Sequence, residues 1–171
     1  SFLFEVKEKN ILITGANSGI GLALSKKLLT FKNKIIATYK KNSDNLDQIE
    51  NNNLYQIKCD QRDDNDFIEL KKKLDQFKID IIINCAGVFG PSFQNQEIAE
   101  LNFDEFKEIL NINALSIAKI IQIILKNKNS MPKIIVNLSS DAGSLAKNTE
   151  GNAYIYRTSK SALNSITKNM S

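Results

Sequence analysis

At 171 residues, with 42% apolar and 25% charged residues, the chain has the size and composition of one ordinary globular domain. Its two cysteines, Cys59 and Cys85, exclude a disulfide framework, and the absence of histidine excludes histidine-based triads and metal sites. The net charge of +4 comes from scattered lysines, so we expect no nucleic-acid binding. No apolar run approaches the length of a bilayer span, and residues 1–10 carry too many charges for a secretory signal. We therefore expect a cytoplasmic protein that does not bind a membrane.

Short apolar runs alternate with amphipathic stretches along the chain. The runs are mostly uninterrupted Ile, Leu and Val, which is typical of parallel strands covered on both faces. The predicted strands are Asn10–Thr14, Lys34–Tyr39, Leu54–Lys58, Ile79–Asn84 and Lys133–Leu138. The predicted helices are Gly19–Thr30, Ser43–Glu50, Asp63–Phe77, Phe103–Leu125 and Ala153–Lys168, with Asp63 and Asn102 as caps. This alternation predicts an α/β fold with a doubly wound parallel sheet, a Rossmann fold, in a single domain over residues 1–171.

A glycine-rich turn, Thr14–Gly21, joins the first strand to the first helix. Gly15 permits the sharp turn, Gly19 lets the backbone approach a pyrophosphate, and Gly21 lets helix and strand pack closely. The unpaired N–H groups at the helix N-terminus suit phosphates. The turn therefore predicts a dinucleotide site, although an ordinary glycine turn is the alternative. The residues assigned to it are Gly15, Asn17, Ser18, Gly19, Ile20 and Gly21.

The second strand ends without the acidic residue that NAD-binding units place there for the ribose hydroxyls. Lys40 and Lys41 stand in its place, and they favour the 2′-phosphate of NADP, with NAD as the other candidate and a solvated loop as the alternative. Ser18 adds no second basic residue to the turn. After the third strand, Asp60 is expected either to accept a hydrogen bond from the adenine amino group or to cap the next turn. We assign Asp60 and Gln61 to the cofactor side.

Tyr156 and Lys160 lie four residues apart and so project from one face of the last predicted helix. A phenol with its ordinary pKa near 10 is a poor proton relay at neutral pH, and a nearby ammonium favours its phenolate form. The pair is therefore a candidate general acid/base that needs no histidine. Tyr154 forms no such pair, because Thr158 stands four residues after it.

Other polar residues fall where a parallel sheet binds its ligands, beyond the carboxyl ends of the strands. The fifth strand leads into Ser139 and Ser140, whose hydroxyls can polarise a substrate carbonyl, and the fourth leads into Asn84–Gly87. Asn113 is a polar residue inside an otherwise apolar helix, a feature that often has a purely structural explanation.

In this order the motifs resemble those of the short-chain dehydrogenase/reductase family, over essentially the whole chain. The matching pieces are Thr14–Gly21, Asp60, Asn84–Gly87, Asn113, Ser139–Ser140 and Tyr156–Lys160. Residues 143–164 resemble the branch of C-factor and the sniffer-type carbonyl reductases.

The resemblance implies a role for single positions. Tyr156 is expected to be the catalytic acid/base, and Lys160 to favour its phenolate and hold the nicotinamide ribose. Ser140 is expected to orient the substrate, and Asn113 to support a water relay to the lysine. The segment after the fourth strand is expected to brace the sheet beside the cofactor, with Cys85 in place of the family's second asparagine; its bracing residues are Asn84, Ala86 and Gly87.

The resemblance also implies the reaction, a hydride transfer between NADP(H) and a small-molecule carbonyl or alcohol. The family continues with further strands after the last helix, so we expect a sheet that lacks its C-terminal strands. A dinucleotide-binding signalling or regulatory protein and a non-binding structural domain are the rival hypotheses. A homodimer or homotetramer would pair through the fourth and fifth helices, but packing on the chain's own sheet explains the apolar residues of the fourth equally well. Those residues are Ile117, Ile120, Ile121 and Ile124.

Overall fold

A five-stranded sheet in the order β3-β2-β1-β4-β5 forms the framework of the protein. The computed structural model describes residues 6–87, 94–138 and 153–170. The strands are β1 Asn10–Thr14, β2 Lys34–Tyr39, β3 Leu54–Lys58, β4 Ile81–Asn84 and β5 Ile134–Asn137. β1 pairs in parallel with β2 and β4, and β2 pairs in parallel with β3. The strand order reverses beside β1, which confirms the predicted doubly wound Rossmann sheet.

The helices alternate with these strands. They are α1 Gly19–Leu29, α2 Asp44–Asp47, α3 Asp64–Leu74, α4 Phe103–Leu110, α5 Ser116–Lys126 and α6 Tyr154–Met170. A π-helical turn, Asn111–Leu115, joins α4 to α5, and two 3₁₀ turns, Gln94–Gln96 and Ile98–Glu100, precede α4.

The chain forms two compact units. The first comprises Ser1–Ala86 and Ile120–Val136, and holds nearly all of the sheet; the second comprises Gly87–Lys119 and Asn137–Ser171. The single domain over 1–171 stays a prediction.

The inner strands of the first unit form where branched apolar residues follow one another without interruption. Ile11, Leu12 and Ile13 of β1 are fully buried, as are Ile35 and Ile36 of β2. Each such side chain contributes roughly 1.5–3 kcal/mol of hydrophobic free energy when it leaves water. In β3, at the edge of the sheet, only Ile57 is buried, and the rest of that strand is polar or exposed in part.

Both predicted caps are confirmed. The Asp63 carboxylate accepts a hydrogen bond from the Asn65 N–H at 2.9 Å, and the Asn102 side chain accepts from the N–H groups of Asp104 and Glu105 at 3.0 and 3.1 Å. A carboxylate or amide oxygen in this position satisfies N–H groups that have no partner within the helix.

The structure corrects the second predicted helix in its extent and the fourth in its internal geometry. The second helix, predicted over Ser43–Glu50, is the single turn Asp44–Asp47, because the weak helix formers Asn51–Asn53 follow and Asp47 places negative charge at its C-terminal end. The fourth, predicted as one helix, widens into the π-helical turn Asn111–Leu115.

The helical segment Phe103–Lys126 also corrects an expectation, since by length and composition alone it could cross a membrane. Half of its most apolar stretch is buried inside the protein, as in the core helix of a soluble protein. The four isoleucines considered for a subunit interface are at most 2% exposed, so burial within this chain accounts for them: Ile117, Ile120, Ile121 and Ile124.

Candidate active site

The turn after β1 adopts the strained backbone that its glycines predict. Gly15 and Gly19 have φ of +61° and +52°, in the left-handed region. A Cβ on Gly15 would lie 2.8 Å from the Ala86 backbone nitrogen. The Thr14 hydroxyl also accepts hydrogen bonds from the N–H groups of Cys85 and Ala86, at 3.1 and 3.3 Å. The turn is therefore held against the chain that leaves β4.

Gly21 brings α1 directly onto this turn. A Cβ at Gly21 would overlap the carbonyl oxygen of Gly15 and lie 2.9 Å from its carbonyl carbon. Because the clash is with backbone, no side-chain rotation could relieve it. The close helix–strand packing predicted for Gly21 is thus observed.

The N-terminus of α1 is well suited to an anion. The Ser18 side chain at the cap makes no capping hydrogen bond, and the first turn has no acidic residue. A Cβ on Gly19 would have nothing within 4 Å, and Ile20 is 61% exposed. The helix dipole and its leading N–H groups therefore meet no competing carboxylate from their own turn.

Asn17 has a structural task that the sequence did not reveal. Its side-chain oxygen accepts hydrogen bonds from the N–H groups of Asn45 and Leu46, at 3.0 and 3.1 Å, and the Asn45 amide donates to the Asn17 carbonyl. Ser43, the local cap of α2, makes no capping bond of its own. Asn17 thus caps α2 from a distance, and its contact with a cofactor stays a prediction.

At the ends of β2 and β3, Lys40 and Lys41 are both exposed. The Asp60 carboxylate accepts hydrogen bonds from the Arg62 side chain at 2.9 and 3.1 Å and from its backbone N–H at 3.0 Å. These bonds, with the charge of Lys40 adding to them, hold the pKa of Asp60 below its usual value. The expected turn cap at Asp60 is observed, and its hydrogen bond to the adenine stays a prediction.

Gln61 is 7% exposed, and its side-chain nitrogen has no hydrogen-bond partner within the described ranges. A buried amide without a partner is uncommon in folded proteins.

The cysteines are unreactive in this setting. Burial, with the carboxylates of Asp66, Asp60 and Asp63 adding to it, raises the pKa of the Cys59 thiol to about 12. Burial also raises the pKa of Cys85 to about 11. Both thiols are therefore protonated at neutral pH, although only Cys59 is fully buried and Cys85 is half-buried.

In the second unit, α6 places Tyr156 and Lys160 on one face, as predicted. The Lys160 ammonium nitrogen lies 5.8 Å from the centre of the Tyr156 ring. Lys160 is only 8% exposed, and burial lowers its pKa below the ordinary value. No ion pair to Lys160 occurs in the described part of the chain. A buried ammonium without a carboxylate is costly, which is a mark of functional sites.

Asn113 joins this pair at Gly87. A Cβ on Gly87 would lie 3.2 Å from the Asn113 side-chain oxygen and 3.3 Å from the Lys160 ammonium nitrogen. Gly87 itself is exposed, whereas Asn113 is fully buried in the π-helical turn, a distortion that often marks functional sites. A side chain at Gly87 would therefore crowd both polar groups.

Two buried residues of this unit escaped the sequence analysis. Ser159 accepts a hydrogen bond from the Asn113 amide nitrogen at 3.0 Å and donates one to the Tyr156 carbonyl at 2.7 Å. The Gln96 side-chain oxygen accepts from the Tyr156 N–H at 2.8 Å, in the place of the cap that Ala153 cannot provide. Gln96 and Tyr156 are 60 positions apart, so no local sequence signal indicates this contact.

The remaining predicted residues divide between described and undescribed positions. Asn84 ends β4 opposite Thr14 in register and is 1% exposed. Ala86 contacts the turn, as described above. Ser139 and Ser140 lie outside the described residues.

We expect Lys160→Met to stabilise the protein by about 1 kcal/mol at neutral pH, or roughly 2–4 °C in Tm, because it removes a desolvated charge and keeps the apolar stem. The pKa of Lys160 is lower in the folded protein than in the unfolded chain, where it is 10.5. At pH values between the two pKa values, the unfolded chain therefore binds more protons than the folded protein. The wild-type free energy of unfolding should therefore rise through this window, and the variant should lose that rise. Urea unfolding at several pH values measures both effects, and a less stable variant at neutral pH would contradict the account.

The family model described as short chain dehydrogenase matches residues 9–171. An oxidoreductase of Saccharomyces cerevisiae is 30% identical over 168 residues, which cover 96% of this chain and 52% of the yeast protein. The C-signal protein of Myxococcus xanthus is 33% identical over 94 residues, covering 54% of this chain and 55% of that protein. The chain thus spans about half the length of these two relatives.

Solved structures share the fold. A carbonyl reductase of Pseudomonas aeruginosa is 26% identical with a TM-score of 0.82, covering 95% of this chain and 75% of the reductase. A structure of a carbonyl reductase from the same bacterium holds NADP; it is 24% identical with a TM-score of 0.81, covering 95% and 74% of the two chains. The Sniffer protein of Caenorhabditis elegans is 24% identical with a TM-score of 0.83, covering 96% and 79%. The last two likenesses concern the fold.

Proposed function

Because the chain belongs to the short chain dehydrogenase family, we propose that it is an NADP(H)-dependent oxidoreductase of carbonyl and alcohol substrates. The observation that carries the proposal is the cluster in the second unit, where the Lys160 ammonium and the Asn113 oxygen meet at Gly87 and the Tyr156 ring lies on the same helical face as Lys160. A protein that only binds a dinucleotide has no need of an acid/base phenol beside that ammonium.

The residues present fit a dinucleotide. The turn of Gly15, Gly19 and Gly21 offers an uncapped helix N-terminus to the pyrophosphate, and the turn needs glycine at positions 15 and 21 because a side chain there would meet backbone. A side chain at Gly87 would likewise crowd Lys160. We propose that Lys160 holds the nicotinamide ribose, and that Asn84, Ala86, Asp60 and Gln61 line the remaining cofactor side.

When bound, the cofactor supplies or accepts the hydride. In reduction, the Tyr156 hydroxyl gives its proton to the carbonyl oxygen as the hydride reaches the carbonyl carbon, so that the C=O π bond is replaced by one C–H and one O–H bond. In alcohol oxidation the proton returns to Tyr156. A protonated Lys160 beside the ring stabilises the phenolate that remains after proton transfer. We assign orientation of the substrate oxygen to Ser140, and the path by which Lys160 regains a proton to Asn113.

Lys40 supports NADP as the cofactor, because it is exposed at the end of β2, where NAD-binding units use an acid. We expect Lys40→Ser to weaken NADPH binding about tenfold and to leave NADH binding unchanged, since one charge-assisted hydrogen bond is worth roughly 1.5–3 kcal/mol. Lys71→Ser, at an exposed lysine of α3 outside the predicted cofactor site, is the control and should change neither affinity by more than about twofold. Titration by reduced-nicotinamide fluorescence measures all four constants; an equal loss for both cofactors in the Lys40 variant would contradict the assignment.

A regulatory dinucleotide-binding protein is the second candidate, and the similarity to C-signal over 54% of this chain favours it. NADPH consumption by the full-length protein against a panel of aldehydes and ketones separates the two. Turnover supports the oxidoreductase. NADPH binding without turnover on any carbonyl supports the regulatory protein, and a melting temperature unmoved by either cofactor supports a structural domain.

Location and assembly complete the proposal. Cys59 and Cys85 are free thiols, which fits a reducing cytoplasm. We propose a homodimer or homotetramer, to be measured by light scattering of the full-length protein.

A further inference from the structure

Ser159 forms hydrogen bonds with both Asn113 and Tyr156, the two residues that the proposed function places beside Lys160. We propose that Ser159 is a positioning residue, which fixes the Asn113 amide so that its oxygen points to Gly87, beside Lys160. The inference rests on the proposed function for its catalytic consequence, and on the hydrogen bonds alone for its geometry.

The Ser159 hydroxyl has one proton, and the structure shows where it goes. The Tyr156 carbonyl can only accept, and it lies 2.7 Å from the Ser159 oxygen, so that proton is committed to it. The hydroxyl therefore offers only lone pairs to Asn113, 3.0 Å away. An amide that meets lone pairs must present its NH₂ group. One hydrogen bond thus determines which end of the Asn113 amide points toward Ser159.

The opposite end of the amide must then be its oxygen. That oxygen and the Lys160 ammonium nitrogen lie 3.2 and 3.3 Å from the same point, the position of a Cβ on Gly87. The Asn113 acceptor and the Lys160 ammonium therefore both lie beside Gly87. A flipped amide would place its oxygen against the lone pairs of Ser159, which is a repulsive contact, and would present its NH₂ group to Gly87 instead of an acceptor.

Burial makes this orientation matter. Asn113 and Ser159 are fully buried and Lys160 is 8% exposed, so little water is present to compensate a wrong orientation. Without Ser159 the amide loses the lone pairs that select its orientation, and the position beside Gly87 and Lys160 loses its acceptor in a fraction of the molecules.

The same helix contains a matched control. Thr167 accepts a hydrogen bond from the Asn137 amide at 2.9 Å and donates one to the Leu163 carbonyl at 2.8 Å. The Thr167 hydroxyl therefore accepts from an amide and donates to a carbonyl, as the Ser159 hydroxyl does. Its amide partner, Asn137, lies outside the proposed catalytic and cofactor-binding residues. Ser159→Ala and Thr167→Val therefore remove equivalent pairs of hydrogen bonds from α6.

The test compares these two variants in the full-length protein. We expect both to lower Tm by a similar amount, roughly 2–4 °C. We expect Ser159→Ala alone to lower kcat for carbonyl reduction about tenfold, with KM and the Kd of NADPH changed by no more than about twofold. An unchanged kcat in Ser159→Ala, or an equal fall in Thr167→Val, overturns the proposal.

A second readout needs no activity. In NMR spectra the Asn113 side-chain NH₂ signals, assigned by their loss in Asn113→Asp, should be protected from hydrogen exchange in the wild type and in Thr167→Val. They should lose this protection in Ser159→Ala, and retained protection there overturns the proposal. If the wild type shows the protected amide but no turnover, the proposed function fails while the orientation by Ser159 stands.

Discussion

Tyr156→Phe should lower kcat for carbonyl reduction about 10²- to 10⁴-fold, the usual worth of general acid catalysis. The substitution removes only the phenolic oxygen and keeps the ring, whose centre lies 5.8 Å from the Lys160 ammonium nitrogen. The backbone of Tyr156 is held independently, by Gln96 at its N–H and by Ser159 at its carbonyl. The fold and cofactor binding should therefore survive while proton transfer is lost.

Tyr154 provides the control for this experiment. It begins the same helix, is 37% exposed, and has no lysine four residues later. Tyr154→Phe should keep wild-type kcat within about twofold, because it removes no acid/base group. Steady-state rates and NADPH affinities of both variants decide the matter: normal turnover in Tyr156→Phe, or equal losses in the two, would refute the role of Tyr156.

Gly21→Ala should destabilise the protein by about 1–3 kcal/mol or more through overpacking. The sign is informative, because alanine at an ordinary position within a helix is more favourable than glycine by about 1 kcal/mol. Here the new methyl group would overlap the Gly15 carbonyl. Gly15 cannot retreat, since it already lies against the backbone of Ala86. α1 would have to move away from the turn that we assign to the cofactor, so NADPH affinity should fall as well.

Gly19→Ala distinguishes packing from backbone strain. Gly19 has φ of +52° but nothing within 4 Å of its would-be Cβ, so its alanine variant should lose only the left-handed penalty, about 1–2 kcal/mol. Its NADPH affinity should still fall, because the added methyl group stands at the phosphate turn. Urea unfolding and NADPH titration measure both variants. A Gly21→Ala protein as stable as wild type would show that the close contact between helix and turn has no energetic weight.

The sheet could be predicted from the sequence because its signal is local. Three strands begin and end as expected, since β1 and β2 are continuous runs of branched residues and β3 lies between clear turn signals. The glycine turn was equally readable, because the φ values at Gly15 and Gly19 are ones that few other residues adopt. The Tyr156–Lys160 pair needed only the helical period of α6.

Contacts that side chains make with residues far away in the sequence could not be predicted. Asn17 caps α2 and Gln96 caps α6, because neither helix has a capping side chain of its own at its N-terminus. The Ser159 relay depends on the π-helical turn that carries Asn113, and no periodic pattern marks that turn. The site is therefore predictable in its reactive groups and unpredictable in the residues that hold them.

The most direct test of the central claim follows the hydride itself. The full-length protein is incubated with a panel of carbonyl compounds and NADPH that carries deuterium at the transferring carbon of the nicotinamide ring, and the alcohols are analysed by mass spectrometry. We expect an alcohol with deuterium on the former carbonyl carbon from the wild type, and at least about a hundredfold less of it from Tyr156→Phe. Tight NADPH binding with no labelled alcohol from any carbonyl would contradict the account.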